Sequence, residues 1–304
     1  MKNVLTSIKN EKGNVLVLVA LSFMALLGMA GLAIDGGLLY MTKTQMQKTA
    51  NAAVLSGAQE LTNKEDRVKS VINVILKAHN EEASLESTEV EMDKRVSMTL
   101  RKPVKLAFAR IFGINEVDVH VKAAAGLRPL GRAFGASPLG IDEKIPLEFN
   151  KPYELKVDST SVDSGNFGVL ALGDVGAKTY EENLRYGYQA ELKVGMVIDT
   201  QTGNIAGKTR DVVQQLVNGC PETSESIYDR KCSRIILIPV YKPYSFDQNQ
   251  MKSVIITGFA YFYITDPMSS SDTSIKGMFI KRAGKGFEEV GSVSRGAYKI
   301  RMTE

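Results

Sequence analysis

Residues 13–34 read GNVLVLVALSFMALLGMAGLAI, and this stretch decides how the rest of the chain is organised. It contains no charged residue, and at about 1.5 Å per helical residue it is long enough to cross a hydrocarbon core of about 30 Å. Apolar residues occupy every face of the helix, whereas a helix on the surface of a soluble domain keeps a polar stripe. The segment therefore predicts a transmembrane helix rather than a core helix.

A cleaved secretory signal peptide is the alternative interpretation of the same segment. Gly31-Leu32-Ala33 has the small residues of a cleavage site. The apolar run is longer, however, than the roughly 7–15 residues of a signal-peptide core. We therefore expect a retained membrane anchor.

The charges on either side of the apolar segment predict its orientation. Lys2, Lys9 and Lys12 precede it, and Lys43 and Lys48 come soon after it. By the positive-inside tendency, residues 1–12 are predicted to be cytoplasmic, and a long C-terminal domain can cross the membrane largely regardless of its own charge. Residues 35–304 are therefore predicted to be extracytoplasmic.

The composition indicates that the chain beyond the anchor is an ordinary water-soluble region. The chain has 304 residues, of which 44% are hydrophobic and 24% charged, so most of it is expected to fold in water. Its net charge is +4, without a long basic run with interleaved aromatic residues, and nucleic acid is not an expected partner. His79 and His120 are too few and too far apart to indicate a metal site, and His120 is expected to be exposed on a strand. We expect no cofactor.

The residues after the apolar segment, GGLLYMTKTQMQKTANAAVLSGAQELTN, continue with good helix formers and no proline. Ala50, Ala53 or Val54, and Gly57 recur at three- to four-residue spacing, which places small residues along one face. Such a face lets another backbone approach closely. Either the helix packs on its own domain through this face, or it contacts a partner helix, and the sequence leaves both open.

Residues 11–61 resemble the N-terminal region of the TadE/TadG-like Flp pilus-assembly proteins. The resemblance depends on Glu11-Lys12-Gly13 before the apolar run, Gly31-x-x-x-Asp35 at its outer end, and the segment from Gln47 to Ala53. Asn51 stands where the family more often has Asp. The family implies a membrane protein of the tight-adherence pilus system, with the lipid bilayer and other pilus-assembly or pseudopilin subunits as partners.

The resemblance also bears on processing and on metal binding. Some pilin-like members are cut after a glycine that is followed five residues later by Glu, but Leu18 stands at that distance from Gly13. An uncut anchor of the TadG kind is therefore expected. Larger TadG-like proteins carry a D-x-S-x-S metal motif, which Asp158-Ser159-Thr160-Ser161 does not match.

The remaining sequence predicts an α+β fold. Helix at 64–83, an alternating stretch at Val90–Val104, a short helix in KLAFARIFG and a strand in VDVHVKAAAGL indicate a small pilin-like α/β head over residues 35–128. The glycine- and proline-rich RPLGRAFGASPLG then marks a boundary. Residues 129–304 are mostly strand-like and predict a mainly antiparallel β sandwich or barrel-like domain. Three of their segments, GNFGVLALG, TYEENLRYGY and GNIAGKT, also resemble the distal region of TadG-like proteins.

Motifs for catalysis or nucleotide binding are weak. The segment Gly203–Thr209 imitates a phosphate-binding loop but is one residue short of G-x-x-x-x-G-K-[ST], so we expect a turn with Thr209 as N-cap and Gly219 ending the helix. No G-x-S-x-G elbow is present. Glu181, Glu182 and Asp199 are expected to be solvated acids, although paired carboxylates would suit glycoside chemistry.

Cys220 and Cys232 are the only cysteines and are predicted to form a disulfide. They enclose a loop of polar and turn-forming residues, and the predicted export places them in an oxidising compartment. In the cytoplasm both would stay reduced. The sequence thus predicts an anchored, non-enzymatic component of a tight-adherence pilus or secretion machine, and the alternative is an exported enzyme or carbohydrate-binding protein on a pilin-like stalk.

Overall fold

A computed structural model describes residues 14–156, 167–201, 205–223, 225–247, 250–270 and 274–304. Residues 1–13, including the first residue of the predicted span, Gly13, lie outside this range, and so does the segment Asp158–Ser161. Within it the α-helices are α1 (Asn14–Ala58), α2 (Glu65–Ala78), α3 (Ala177–Tyr186) and α4 (Ala206–Asn218). The predicted α+β class is confirmed: a long apolar helix is followed by a small head and a mainly β region.

The strands in chain order are β1 (Leu85–Glu91), β2 (Arg95–Lys105), β3 (Glu116–Pro129), β4 (Arg132–Ala133), β5 (Leu139–Asp142), β6 (Pro152–Lys156), β7 (Phe167–Val169), β8 (Leu192–Lys193), β9 (Val197–Asp199), β10 (Ile235–Asp247), β11 (Gln250–Ile264), β12 (Ser274–Ile280), β13 (Arg282–Ala283) and β14 (Ala297–Met302). The first sheet has the order β1-β2-β3-β14-β13. The second has the order β6-β12-β11-β10-β5-β7, with β9 paired to β11. Both are mainly antiparallel, although β5 runs parallel to β10 and β13 parallel to β14.

The head is formed by α1 and α2 packed on the first sheet. Only the second half of α1 takes part, because its buried side chains recur at three- to four-residue spacing there, beginning with Met46. The same core contains three buried residues of α2: Val68, Ile72 and Leu76. A long helix thus begins as an exposed apolar rod and ends as part of a hydrophobic core.

Two local predictions differ from the structure. The stretch Val90–Val104, predicted as one strand, contains a turn at residues 92–94, and β1 and β2 form a hairpin around it. Asp93 has a φ of +63°, which reverses the chain direction there. The predicted helix in KLAFARIFG is a single 3₁₀ turn, Ala109–Phe112, because Gly113 with a φ of +86° ends it.

The last strand returns to the head. β14 pairs antiparallel with β3, and Ile300 lies opposite Leu127. Residues 297–302 therefore complete the first sheet, although they come last in the chain. The division of the chain at residues 128 and 129 stays a prediction, and β14 crosses it.

Candidate functional site

The first part of α1 has no protein neighbours on most of its surface. Its large apolar side chains are exposed from Val15 to Ile34, and α1 is the described helix that is long and apolar enough to cross a membrane. A soluble protein does not expose a continuous apolar surface of this kind, since contact with water costs free energy in proportion to its area. The segment is built to be covered by lipid or by other apolar helices.

The junction between this apolar rod and the head is made by Asp35. Its carboxylate accepts hydrogen bonds from the backbone N–H groups of Ala107, Phe108 and Ala109, at 2.9, 3.0 and 2.7 Å. These N–H groups stand at the start of the 3₁₀ turn Ala109–Phe112, where no intrahelical partner is available. A buried carboxylate is costly unless it is fully hydrogen-bonded, and here three donors converge on it.

Gly31 forms the second contact of this junction, one helical turn before Asp35. A Cβ atom added to Gly31 would lie 2.8 Å from the Cβ, Cγ and Cδ1 atoms of Phe108. Glycine is therefore required at this position for the Phe108 ring to lie against the helix backbone. The Gly31-x-x-x-Asp35 spacing places both residues on one helix face, so the sequence pattern identified the pair but not what it contacts.

The predicted small-residue face lies further along α1. Ala50 and Ala53 are fully buried, and Gly57 is buried against Ile72 of α2, whose Cγ1 atom would lie 2.8 Å from an added Cβ. In this chain the face therefore meets the head's own helix and sheet. Its role as a close-packing face stays a prediction, which substitution of Gly57 would test.

A disulfide joins Cys220 and Cys232, as the sequence predicts, with a Cα–Cα distance of 5.2 Å. It connects the end of α4 to the residues before β10. Arg234, which is buried beside it, donates hydrogen bonds to the carbonyl oxygens of Cys220 and Thr265. The bridge therefore closes a loop whose ends are already held by the distal core.

The residues that suggested a phosphate-binding loop have other roles. Thr202 and Gly203 lie outside the described residues. Thr209 is not the N-cap, because α4 begins three residues earlier; the Thr209 hydroxyl is buried, donates to the Ile205 carbonyl and bonds to the Tyr180 hydroxyl at 2.8 Å. Gly219 does end α4, as predicted.

Among the candidate carboxylates in the described structure, Glu181 forms ion pairs with Lys208 and Arg185. Glu181 accepts from Lys208 at 2.5 Å and from Arg185 at 2.8 Å. The hydrogen bond from Lys208 is the main cause that holds the pKa of Glu181 below its usual range, whereas a glycosidase acid needs a raised pKa. Within the described chain no group of three His, Cys, Asp or Glu side chains is placed to hold a metal ion.

A groove of about 790 Å³ lies where the head meets the distal region, and cations line it. Arg185 is one of them and is paired with Glu181. The other four cations are Arg230, Arg282, Lys285 and Lys299. Among the described residues they make no ion pair, and no Asp, Glu or His lines the groove. The hydroxyl of Ser137, also in the lining, is buried without a hydrogen-bond partner in the described structure. We call this feature the cationic groove, after these four cations without an ion pair.

Arg282 is a partly buried member of this set. Burial lowers the pKa of its guanidinium, and the nearby charge of Arg230 lowers it further, while Tyr261 and Asp229 act in the opposite direction. Its Nη1 donates to the carbonyl oxygen of Asp229 at 3.1 Å, and its guanidinium lies 5.9 Å from the Tyr261 ring centre. The groove offers positive charge and aromatic surface, which suit the binding of an anion.

The comparisons with known proteins agree with the N-terminal resemblance. Residues 13–60 match the family model described as putative Flp pilus-assembly TadE/G-like. The match covers α1 and ends before α2. No curated protein and no solved structure matches the chain. The predicted resemblance is confirmed for the N-terminal region.

Proposed function

We propose that this protein is a membrane-anchored, non-enzymatic component of a tight-adherence (Flp) type IV pilus assembly or secretion system, which exposes an extracytoplasmic interaction domain. The proposal rests chiefly on the two halves of α1. Its first half is apolar and exposed, whereas the buried face of its second half is part of the head core. The family match over residues 13–60 supports the link to pilus assembly.

In this proposal residues 1–12 are cytoplasmic, residues 13–34 span the bilayer once, and the remainder lies outside the cytoplasm. The Cys220–Cys232 disulfide supports export, because such bonds persist in oxidising compartments. The partners are the lipid bilayer and other pilus-assembly or pseudopilin subunits. No nucleic acid or nucleotide is part of the proposed function.

The continuity of α1 explains how an anchor can position an interaction domain. A flexible linker would let the domain turn freely, but here the helix that leaves the membrane is itself a core element of the head. Asp35 adds a fixed point at the membrane end, 72 to 74 residues away in sequence from its hydrogen-bond donors. The exposed surface is thereby presented at a set distance from the bilayer.

Topology is tested first, in intact cells. Val290 is almost fully exposed in the distal region, and both native cysteines are bridged. A Val290→Cys variant is expected to react with a membrane-impermeant maleimide without permeabilisation, whereas Ser7→Cys, before the span, is expected to react only afterwards. The reverse pattern would contradict the proposed orientation. Intact mass should also show an uncut N-terminus. A species beginning at Asn14 would refute the uncut N-terminus, and one beginning near Ile34 would have lost the span and would refute the retained anchor.

Partners are tested with the same exposed position. A photo-crosslinking residue at Val290 is expected to capture envelope proteins of the pilus or secretion apparatus in cells that express it. A control crosslinker at Phe23, in the span, should capture membrane-embedded neighbours or lipid only. Cells in which the distal position captures no protein neighbour would contradict the assembly role.

The cationic groove supports a second candidate function, a surface protein that binds an acidic polysaccharide on the same stalk. Extended anionic chains are recognised by cations and aromatic faces, and the groove has both. Arg282→Gln and Lys285→Gln should each weaken binding of polygalacturonate to the full chain about tenfold or more. Lys178→Gln removes an exposed charge outside the groove and should not. Equal binding by all three variants would exclude this function.

A further inference from the structure

The connection between β2 and β3, residues 106–115, exposes a cluster of large apolar side chains, and we call it the apolar loop. Ile111 and Phe112 are 78% and 76% exposed, and Phe108 and Ile114 are also exposed. Leu106 and Ala109 of the same loop are buried in the head core. An exposed apolar cluster of this kind marks a surface that another apolar phase covers.

The apolar loop is held in a defined conformation. The N–H of Leu106 donates to the carbonyl of Asn115 at 3.0 Å, which closes the base of the loop. Gly113 in the left-handed region ends the 3₁₀ turn. Together with the three hydrogen bonds to Asp35, these contacts hold the loop in a conformation that keeps Ile111 and Phe112 exposed.

The position of the loop relative to the predicted span indicates which apolar phase can cover it. Phe108 lies against Gly31, which is three residues inside the outer end of the predicted span at 13–34. At about 1.5 Å per residue, the contact lies roughly 5 Å within the hydrocarbon boundary. The loop therefore meets α1 at the level of Leu32 and Ile34, whose apolar side chains are also exposed.

We propose that the apolar loop inserts Ile111 and Phe112 into the interface of the outer leaflet, as a second membrane contact beside α1. This inference rests on the proposed membrane anchor. Interfacial segments bury their apolar side chains about 5–10 Å into the boundary between headgroups and acyl chains. Arg110, exposed on the same turn, is placed to reach the lipid phosphates. Two contacts, one of them off the helix axis, restrict both tilt and rotation of the head.

The sequence contains no tryptophan, so the fluorescence of one introduced tryptophan reports the depth of that residue in the membrane. Single-tryptophan variants of the full chain can be placed in bilayers of phosphatidylcholine and phosphatidylglycerol that carry bromine at shallow or deep acyl positions. Phe112→Trp reports the loop and Phe23→Trp reports the middle of the span. Phe287→Trp is the matched control, because Phe287 lies far from the apolar loop. The loop precedes the start of β3, a strand about 45 Å long, whereas the carbonyl of Phe287 accepts a hydrogen bond from the N–H of Gly131, just past the end of that strand.

We expect shallow bromine to quench Phe112→Trp at least twofold and more strongly than deep bromine does, whereas Phe23→Trp should show the opposite order and Phe287→Trp no quenching. If Phe112→Trp is as unquenched as Phe287→Trp while Phe23→Trp is quenched, loop insertion is wrong and the anchor stands. If Phe23→Trp is also unquenched, the anchor itself is refuted, and the loop proposal with it.

Discussion

The Asp35 carboxylate lies 2.7 Å from the backbone nitrogen of Ala109, and this bond joins the membrane end of α1 to a loop 74 residues later in the chain. The same carboxylate accepts from Ala107 and Phe108. Asparagine has one acceptor oxygen and carries an N–H₂ group that cannot accept. Asp35→Asn should therefore leave at least one buried N–H without a partner.

For Asp35→Asn we expect faster hydrogen exchange at the amides of Ala107, Phe108 and Ala109, with amides of the distal sheet unchanged. Asp118→Asn is the control, because Asp118 pairs with the side chain of Arg101 and with no backbone amide of the loop. Equal protection of the three amides in both variants would mean that Asp35 does not hold the loop.

Gly31 should be sensitive to size for a steric reason. A leucine at this position would displace the Phe108 ring, whose atoms lie 2.8 Å from the added Cβ. Gly28 belongs to the same apolar segment, and an added Cβ there meets nothing within 4 Å. Gly31→Leu is expected to increase hydrogen exchange in the apolar loop, and Gly28→Leu is expected to leave it unchanged. Identical exchange in both variants would contradict this contact.

Gly57→Leu should destabilise the head by about 1–3 kcal/mol, because the new side chain overpacks the space held by Ile72. Gly37→Leu is the matched control on the same helix, since a Cβ at that exposed position meets nothing within 4 Å. It should be neutral or slightly stabilising through the higher helix propensity of leucine. Denaturant unfolding of the full chain in detergent micelles measures both, and equal midpoints would show that the small-residue face is not tightly packed.

Loss of the Cys220–Cys232 disulfide should lower the free energy of unfolding by about 3 kcal/mol in the chain-entropy model, since the bridged cysteines are 12 residues apart. The double variant Cys220→Ser, Cys232→Ser should unfold at the same denaturant concentration as the reduced native chain, and reductant should not change it further. Thiol labelling of denatured, unreduced protein from cells gives the complementary measurement. Two reactive thiols there would contradict both the bridge and the export that it supports.

The ion pairs of Glu181 predict a dependence of stability on pH. The hydrogen bond from Lys208 and the charges of Lys208 and Arg185 lower the pKa of Glu181 in the folded protein. A lowered folded-state pKa stabilises the fold above the unfolded-state pKa of about 4.3, and this contribution disappears as pH falls through the folded-state value. Glu181→Gln should remove this part of the acid sensitivity, and Glu182→Gln, an exposed neighbour, should leave it intact. Acid unfolding curves that coincide for the native chain and Glu181→Gln would exclude the effect.

Several features could be predicted from the sequence because they depend on neighbours along the chain. The apolar run at 13–34, the helix that continues beyond it and the α+β pattern can be read from local periodicity. The Cys220–Cys232 bridge was predictable because only two cysteines exist and they are close in sequence. In contrast, the turn at residues 92–94 was not predicted, because the alternation of polar and apolar residues in Val90–Val104 continues across it.

Only the tertiary structure revealed what Gly31 and Asp35 contact, because their partners are residues 107–109, more than 70 positions later in the chain. The cationic groove likewise gathers Arg230, Lys285 and Lys299 from separate strands and loops, and each alone has the sequence context of an ordinary surface cation. The spacing at which apolar residues recur indicates which faces of a helix or strand are buried. It does not indicate which distant backbone groups meet a buried carboxylate, because that depends on how the sheet and the helix pack. The sequence therefore determined that this protein has an apolar anchor and a folded head, and the packing of the head determined how the two are joined.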